Sequence, residues 1–215
     1  MSIFNYSKNH ELFFIKNGYE VKIKKGQYLT THYDESDWVY FLYHGQIMAS
    51  FSLADGNDRI LGYFLPGMTF ARNGSFYNFE SGGIEYKATS DATVYRLPRK
   101  LFLQQLATDK LFNQEYLDQV LKTQMLLIDR IIYSGENGIE NKFAKWLNFM
   151  AKYYGEKTNR GIYIVTPTTQ VDIASFLHVT RVSTNKLVQK YLKAKIIKLD
   201  RKHIIYFPAK TTKGL

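Results

Sequence analysis

The chain of 215 residues contains no cysteine. This absence excludes disulfide bonds, thiolate-ligated iron–sulfur clusters, thiol redox sensing and cysteine nucleophiles. No apolar run approaches the length needed to span a bilayer, and the segment from Met1 to His10 lacks the apolar core of a secretory signal. We therefore expect a cytoplasmic protein that does not bind membranes.

The residue patterns of common enzyme classes are also missing. His32 and His44 have no paired acids beside them, so neither indicates a metal site. The sequence has no nucleophile elbow and no phosphate-binding glycine loop with a lysine. We predict a protein that is not an enzyme and holds no metal or cofactor. A metal-dependent β-roll enzyme is the alternative, because β-rolls of similar texture also host metal-dependent catalysis.

What the chain does have is an uneven distribution of charge. Hydrophobic residues make up 45% of it, aromatic residues 16% and charged residues 22%, which is typical of a folded protein, and its length suits two domains. Residues 1–135 carry 14 Lys and Arg against 14 Asp and Glu, whereas residues 136–215 carry 15 against 5. Positive charge concentrated in one module is typical of a surface that binds a polyanion.

Residues 21–97 consist of short apolar and aromatic runs that are broken by Gly, Asn and Asp about every ten positions. This punctuation predicts many short antiparallel strands. The runs 39–43, 46–53 and 59–65 are predicted to form consecutive hairpins that turn at His44-Gly45 and Asp55-Gly56. The segment predicts an antiparallel β-roll of the jelly-roll type, followed by a short amphipathic helix from Arg99 to Leu106.

Residues 109–133 contain neither Gly nor Pro and predict one long helix. Its apolar residues recur at alternating spacings of four and three, which is the pattern of a two-stranded coiled coil, and this predicts a homodimer. A helix that lies on its own domain is the alternative, because the apolar stripe is wide. The candidate dimer-interface residues are Leu117, Val120, Leu121, Gln124, Leu127, Ile128 and Ile131.

The last part of the chain predicts a winged helix-turn-helix. A hinge at Ser134–Gly138 precedes a predicted helix at 139–154 and a predicted strand at 161–165. Residues 169–188 then predict a helix, a turn and a second helix. Residues 195–207 predict a hairpin that turns at 200–202. The predicted fold class is therefore α+β, with an N-terminal β-roll, a long helix and a C-terminal winged helix-turn-helix. The predicted domains are residues 1–108 as the β-roll domain, 109–134 as the dimerisation helix and 135–215 as the DNA-binding domain.

The helix-turn-helix segment carries the candidate functional residues. His178 occupies a turn position that favours left-handed backbone, and Thr180 can cap the second helix and leave backbone N–H groups for a phosphate. Polar side chains at the start of such a helix reach base edges in the major groove, where Arg181 can pair with guanine O6 and N7. The lysines and the hairpin pair Arg201-Lys202 are expected to contact phosphates. The candidate DNA-binding residues are Thr169, Gln170, Thr180, Arg181, Ser183, Thr184, Lys186, Lys190, Arg201 and Lys202.

Two other interpretations of this basic segment are possible. Its outer face could be a solvated surface without a ligand, or the protein could bind nucleic acid without reading its sequence. The aromatic residues of the segment occupy core or wing positions in the predicted helices and strands, so they form no exposed platform for stacking on RNA bases.

An ordered set of segments resembles the Crp/Fnr family of bacterial transcription regulators over nearly the whole chain. The segments are Ile23-Lys-Lys-Gly26, Tyr40-Phe-Leu-Tyr-His-Gly-Gln-Ile47, Leu65-Pro-Gly-Met-Thr-Phe70, Ala88-Thr-Ser-Asp-Ala-Thr-Val94, the long helix and residues 169–188. The resemblance implies a cyclic-nucleotide-binding-like sensor domain, a dimerisation helix and paired recognition helices that bind a palindromic promoter site in double-stranded DNA. It also implies recruitment of RNA polymerase, usually for activation.

The resemblance also shows where this chain departs from its relatives. Members that bind cyclic AMP hold it with a Gly-Glu pair and an Arg-Ser pair, and here those positions are Arg72-Asn73 and Gly82-Gly83. We therefore expect an unknown small-molecule effector other than cyclic AMP. Arg72 and Asn73 are candidates for holding an anion, and an exposed loop arginine is the alternative. In the recognition helix Val182 replaces a glutamate and Lys186 an arginine, so the preferred half-site should differ from the family consensus.

Overall fold

The computed structural model describes residues 7–30, 37–52, 58–71, 84–166, 169–201 and 203–208. The chain divides into two compact units, and the boundary lies inside one long helix, between Lys122 and Thr123. The sequence-based boundaries lie elsewhere, at 108 and 134, because composition does not show that a continuous helix contributes residues to both units.

The first unit contains two four-stranded antiparallel sheets. Its strands are β1 (Tyr19–Ile23), β2 (Tyr28–Thr30), β3 (Trp38–His44), β4 (Ile47–Ser52), β5 (Asp58–Phe64), β6 (Thr69–Ala71), β7 (Ile84–Ala88) and β8 (Ala92–Pro98). One sheet has the order β1-β8-β3-β6 and the other has the order β2-β7-β4-β5. Successive strands alternate between the sheets at most connections, which is the topology of a jelly roll. The predicted β-roll is confirmed.

One detail of the predicted roll is wrong. β3 and β4 do not form a hairpin about His44-Gly45, because β3 pairs with β8 and β6 whereas β4 pairs with β5 and β7. The chain leaves one sheet and enters the other at Gly45, whose φ of +88° favours glycine. A Cβ there would also lie 2.3 Å from the carbonyl oxygen of Asp91. The pairing of β4 with β5 agrees with the second predicted hairpin.

The first unit has apolar layers on both faces of β3. Tyr40 and Leu42 point into the roll, where they pack with Phe70, Tyr86 and residues of the other sheet. The intervening residues of β3 pack with helices α1 (Lys8–Asn17) and α2 (Arg99–Thr108) and with the start of α3 (Lys110–Ser134). Because both faces are covered, β3 is continuously apolar instead of alternating. Helix α1, whose N-cap is Ser7, was not predicted from the sequence.

The second unit is built from helices and a small sheet. Its elements after α3 are α4 (Ile139–Tyr154), β9 (Gly155–Thr158), β10 (Gly161–Ile164), α5 (Gln170–Leu177), α6 (Arg181–Lys193), β11 (Ile197–Asp200) and β12 (His203–Tyr206). The four strands form a sheet of order β11-β12-β10-β9. The predicted helices and the basic hairpin lie where the sequence places them, whereas β9 was not predicted. Among the described residues, no helix is long and apolar enough to cross a membrane.

Candidate DNA-binding surface

Helix α5 begins with a capping box. The Thr169 hydroxyl accepts a hydrogen bond from the Asp172 backbone N–H (3.2 Å) and donates one to the Asp172 carboxylate (2.7 Å), which also accepts from the Thr169 N–H (2.7 Å). These bonds satisfy donors that a helix start leaves free. The side chain of Thr169, a candidate DNA contact, is therefore engaged in holding its own helix.

The turn between α5 and α6 has the backbone that the sequence predicts. His178 ends α5 in the left-handed region (φ 58°, ψ 46°), and its N–H donates to the carbonyl of Ala174. Thr180 caps α6, because its hydroxyl oxygen accepts from the backbone N–H of Ser183 at 3.2 Å. The two helices are thus joined by only three residues, and the direction of α6 is fixed at its first turn.

The buried face of α6 contains three apolar residues and one of the candidate DNA-binding residues. Leu187, Val188 and Tyr191 are buried. Thr184 is also fully buried, and its hydroxyl donates to the carbonyl of Thr180, so the expectation that it faces outward is wrong. A threonine can enter an apolar stripe when its hydroxyl bonds the backbone one turn earlier, and polarity alone did not reveal this.

The exposed face of α6 carries most of the remaining candidates. Arg181 and Lys186 are exposed and form no ion pair with the residues that the structure describes, while Ser183 is half-buried. Lys190 is different, because its ammonium group pairs with the carboxylate of Glu140 at the start of α4. A phosphate contact by Lys190 would compete with this intramolecular pair.

A side-chain contact that the sequence does not suggest joins the two helices. The Gln170 amide donates to the side-chain oxygen of Asn185 at 3.0 Å. Both residues are polar and lie near the outer surface of the pair, so a spatial contact between them could be found only from the crossing of α5 and α6. Gln170, a DNA-binding candidate, therefore has a role in fixing the geometry of the helix pair.

The hairpin of β11 and β12 forms the wing. Arg201 lies in its turn, exposed and with a φ of 56°, whereas its predicted partner Lys202 lies outside the described residues. His203 lies next to the turn of the wing and contacts the neighbouring strand β10, since its Nδ1 lies 3.1 Å from the carbonyl oxygen of Ile164 and its ring stacks on Tyr163 at 5.0 Å. The wing thus presents at least one arginine to solvent.

Beneath the recognition helix is an aromatic core. The ring of Tyr191 packs edge-on against Phe143 (4.8 Å), and Phe143 lies 5.5 Å from Trp146. The hydroxyl of Tyr191 is buried and has no hydrogen-bond partner within the described parts of the chain, and burial raises the pKa of Tyr191 to about 12. Tyr191 therefore stays neutral, and α6 packs against uncharged aromatic side chains.

Helix α3 has an inward face and an outward face. Phe112, Leu126 and Tyr133 are buried. The predicted interface residues lie on the other side and are exposed in the single chain. Their exposed fractions are 52% for Leu117, 41% for Val120, 51% for Leu121, 45% for Leu127, 48% for Ile128 and 69% for Ile131, and Gln124 is exposed as well. The helix therefore packs on its own units and also presents an apolar stripe to solvent.

Within the first unit, α3 is bonded to the strand that precedes the predicted effector-binding segment. The Gln119 side chain accepts from the backbone N–H of Thr69 (2.9 Å) and donates to its carbonyl (2.6 Å). His10 lies between the same two elements, with Nε2 2.9 Å from the Phe112 carbonyl and Nδ1 3.4 Å from the Thr69 hydroxyl. Arg72 and Asn73, the predicted ligand residues, lie outside the described part of the chain.

An ion pair and a hydrogen bond connect α3 to α4 in the second unit. The Asp129 carboxylate accepts from Lys152 (2.6 Å) and from the hydroxyl of Tyr153 (2.7 Å). The hydrogen bond from Lys152 and that from Tyr153 lower the pKa of Asp129. Among the described residues no group of three or more His, Cys, Asp or Glu could hold a metal ion.

Comparison with known proteins agrees with this arrangement. Residues 20–109 match the cyclic nucleotide-binding domain family. The chain is 26% identical over 176 residues to the lactate racemization regulatory protein of Lactiplantibacillus plantarum, covering 79% of this chain and 78% of that protein.

Two solved structures share the fold. A mutant of CooA from Carboxydothermus hydrogenoformans superposes with a TM-score of 0.74 at 18% identity, over 89% of this chain and 84% of that one. A CRP-family transcriptional regulator from Thermus thermophilus gives a TM-score of 0.69 at 17% identity, over 89% and 95% of the two chains. The resemblance stated from the sequence is thereby confirmed at the level of the fold: residues 20–109 match the cyclic nucleotide-binding domain family, and the chain has the fold of the CRP/FNR-family transcription regulators.

Proposed function

We propose that this protein is a sequence-specific DNA-binding transcription regulator that binds a palindromic promoter site as a homodimer. The observation that carries the proposal is the capped helix-turn-helix, whose second helix presents Arg181 exposed and without an ion-pair partner among the described residues. The excess of positive charge in residues 136–215 supports it, because cations near the phosphates release counterions from the duplex.

In this proposal α6 enters the major groove. Its first turn is directed by the Thr180 cap and carries Arg181, whose guanidinium can donate two hydrogen bonds to one guanine. Ser183 and Lys186 follow on the solvent side, and Arg201 of the wing contacts the phosphate backbone. Thr169 and Gln170 act through the geometry of the helix pair, since their side chains are bonded to Asp172 and Asn185.

The outward stripe of α3 supports the homodimer. Six of its apolar side chains are each more than 40% exposed in the single chain, and a second copy of the same helix would remove them from water. A dimer would place two recognition helices on half-sites one helical turn of DNA apart, about 34 Å. RNA polymerase is the proposed partner at the promoter.

The bonds between Gln119 and Thr69 support control of this dimer by an effector. β6 ends at Ala71, immediately before the segment in which the effector would be held. A ligand that displaces β6 would act directly on α3 through two hydrogen bonds. The effector is proposed to be a small molecule other than cyclic AMP that changes the geometry of the α3 pair.

The test is binding of the full chain to DNA that it selects from a random duplex library. Arg181→Ala should weaken binding to the selected site by about 1–3 kcal/mol and leave binding to random DNA almost unchanged. The matched control is Arg160→Ala, which removes an exposed arginine of the same unit outside α6, and it should affect both DNAs alike. Equal losses on both DNAs for Arg181→Ala would refute the base-reading role.

The oligomeric state has its own test. Ile128→Glu puts a charge in the outward stripe and should convert the dimer to a monomer in sedimentation experiments, because burying an unpaired carboxylate is unfavourable. The control is Asp118→Glu, which keeps the charge of another exposed position on α3. A wild-type protein that sediments as a monomer at all concentrations would refute the dimer.

A further inference from the structure

One apolar residue on α6 is left largely exposed by the described part of the chain. Val182 lies in the first turn, two residues after the Thr180 cap, and 67% of it is exposed. It shares a face with Lys186 and Gln189, which follow four and seven residues later and are also exposed. This face is opposite the buried stripe, and Val182 is its apolar member.

Neither packing nor helix propensity accounts for a valine at this position. A β-branched side chain loses rotamer freedom in a helix and is a weaker helix former than alanine or the long polar residues. Val182 recovers little of this through burial, since it lies away from Leu187 and Tyr191 and is mostly exposed. An exposed valine among polar neighbours is instead suited to an apolar group on a bound partner.

Resting on the proposed function, we infer that Val182 determines specificity by contacting the C5-methyl group of a thymine in each half-site. The methyl group of thymine is the apolar feature that the base pairs present in the major groove. Val182 directly follows Arg181, so the two side chains would read neighbouring bases, one through hydrogen bonds to guanine and the other through an apolar contact. Since Val182 has no donor or acceptor beyond its backbone, other base edges offer it nothing comparable.

The test uses the selected duplex site and deoxyuridine. Each thymine of the half-site is replaced in turn by deoxyuridine, which pairs in the same way and lacks only the methyl group, and the Kd of the full chain is measured by fluorescence anisotropy. At one position we expect about a four-fold loss when one half-site is changed and about a fifteen-fold loss when both are changed. At the other thymines the Kd should stay nearly constant.

The variant Val182→Ser completes the test. It should bind the thymine and deoxyuridine sites with equal affinity at the sensitive position, whereas Lys186→Ala, a matched control on the same face, should retain the discrimination. The inference is overturned if no position shows a loss that depends on Val182, or if the selected half-site contains no thymine. If the library yields no preferred sequence at all, the proposed sequence-specific DNA binding fails together with the inference. If a preferred sequence is found but Val182 does not distinguish thymine from deoxyuridine in it, only the inference fails.

Discussion

The two units of this chain use their polar side chains in opposite ways. In the first unit, His10 and Gln119 are directed inward, where they join α1, β6 and α3, and residues 1–122 carry 13 Lys and Arg against 13 Asp and Glu. In the second unit, Arg181, Lys186 and Arg201 are directed into solvent. The inward polar groups of the first unit hold its elements together, whereas the second unit presents cationic side chains to solvent, as the proposed DNA binding requires.

Each unit also contains one of the two tryptophans. Trp38 lies in β3, under the guanidinium of Arg96 at 4.6 Å, and Trp146 is fully buried in α4. Fluorescence in Trp38→Phe and Trp146→Phe backgrounds can therefore follow the unfolding of each unit separately, and the comparison between the units becomes measurable.

The largest expected effect comes from a cavity in one core. Phe143→Ala should lower the free energy of unfolding of the second unit by about 3–5 kcal/mol, because the ring is fully buried against Tyr191 and Trp146. In urea titrations the Trp146 transition should move to lower concentration, while the Trp38 transition stays in place.

The mirror-image control is Phe102→Ala in the core of the first unit. Phe102 is also fully buried, with Phe112 at 5.8 Å and Phe14 at 6.0 Å. Phe102→Ala should move the Trp38 transition to lower urea concentration and leave the Trp146 transition unchanged. If either variant moves both transitions equally, the two units unfold as one, and the division of the chain does not extend to its stability.

Much of the second unit could be predicted because its signals are local. Thr180 and His178 reveal a cap and a left-handed turn within a few residues of the structures they form. The pairing of β3 could not be predicted in this way, because a strand with two apolar faces fits several partners and a turn at Gly45 suits either a hairpin or a crossing between sheets.

The candidate site shows the same limit. The exposed positions of Arg181 and Lys186 follow from the apolar stripe of α6, whereas the buried hydroxyl of Thr184 and the ion pair of Lys190 depend on other helices. The bonds of Gln119 to Thr69 join residues fifty positions apart. Such contacts are set by tertiary packing, which a periodic pattern does not specify.

A smaller effect is expected from the cap of the recognition helix. Thr180→Ala should destabilise the second unit by about 1 kcal/mol, because the N–H of Ser183 loses its acceptor. Thr180→Ser keeps the hydroxyl and should restore most of the loss. Both variants are compared by the Trp146 signal in urea, and equal unfolding of the alanine and serine variants would show that the cap contributes nothing to stability.

The smallest expected effect concerns one proton in the first unit and appears only over part of the pH range. Burial lowers the pKa of His10 below its ordinary value of 6.5, although the Phe112 carbonyl and the carboxylates of Glu115 and Asp109 oppose the shift. When the pH falls below that ordinary value, the unfolded chain binds a proton at His10 that the folded chain does not. The first unit should therefore lose stability as the pH falls from 7 toward the lowered pKa of His10.

His10→Gln isolates this contribution, since glutamine can still donate to the Phe112 carbonyl but does not titrate. The midpoint urea concentration of the Trp38 transition should fall more steeply below pH 7 for the wild type than for the variant. The midpoint of the Trp146 transition should be the same for both proteins at each pH. If the Trp38 midpoint depends on pH in the same way for the wild type and the variant, His10 has the same pKa in the folded and unfolded chain. The interior of the first unit would then not disfavour the charged form of His10. A difference confined to Trp38 would locate the pH-dependent contact in the unit that holds β6 against α3.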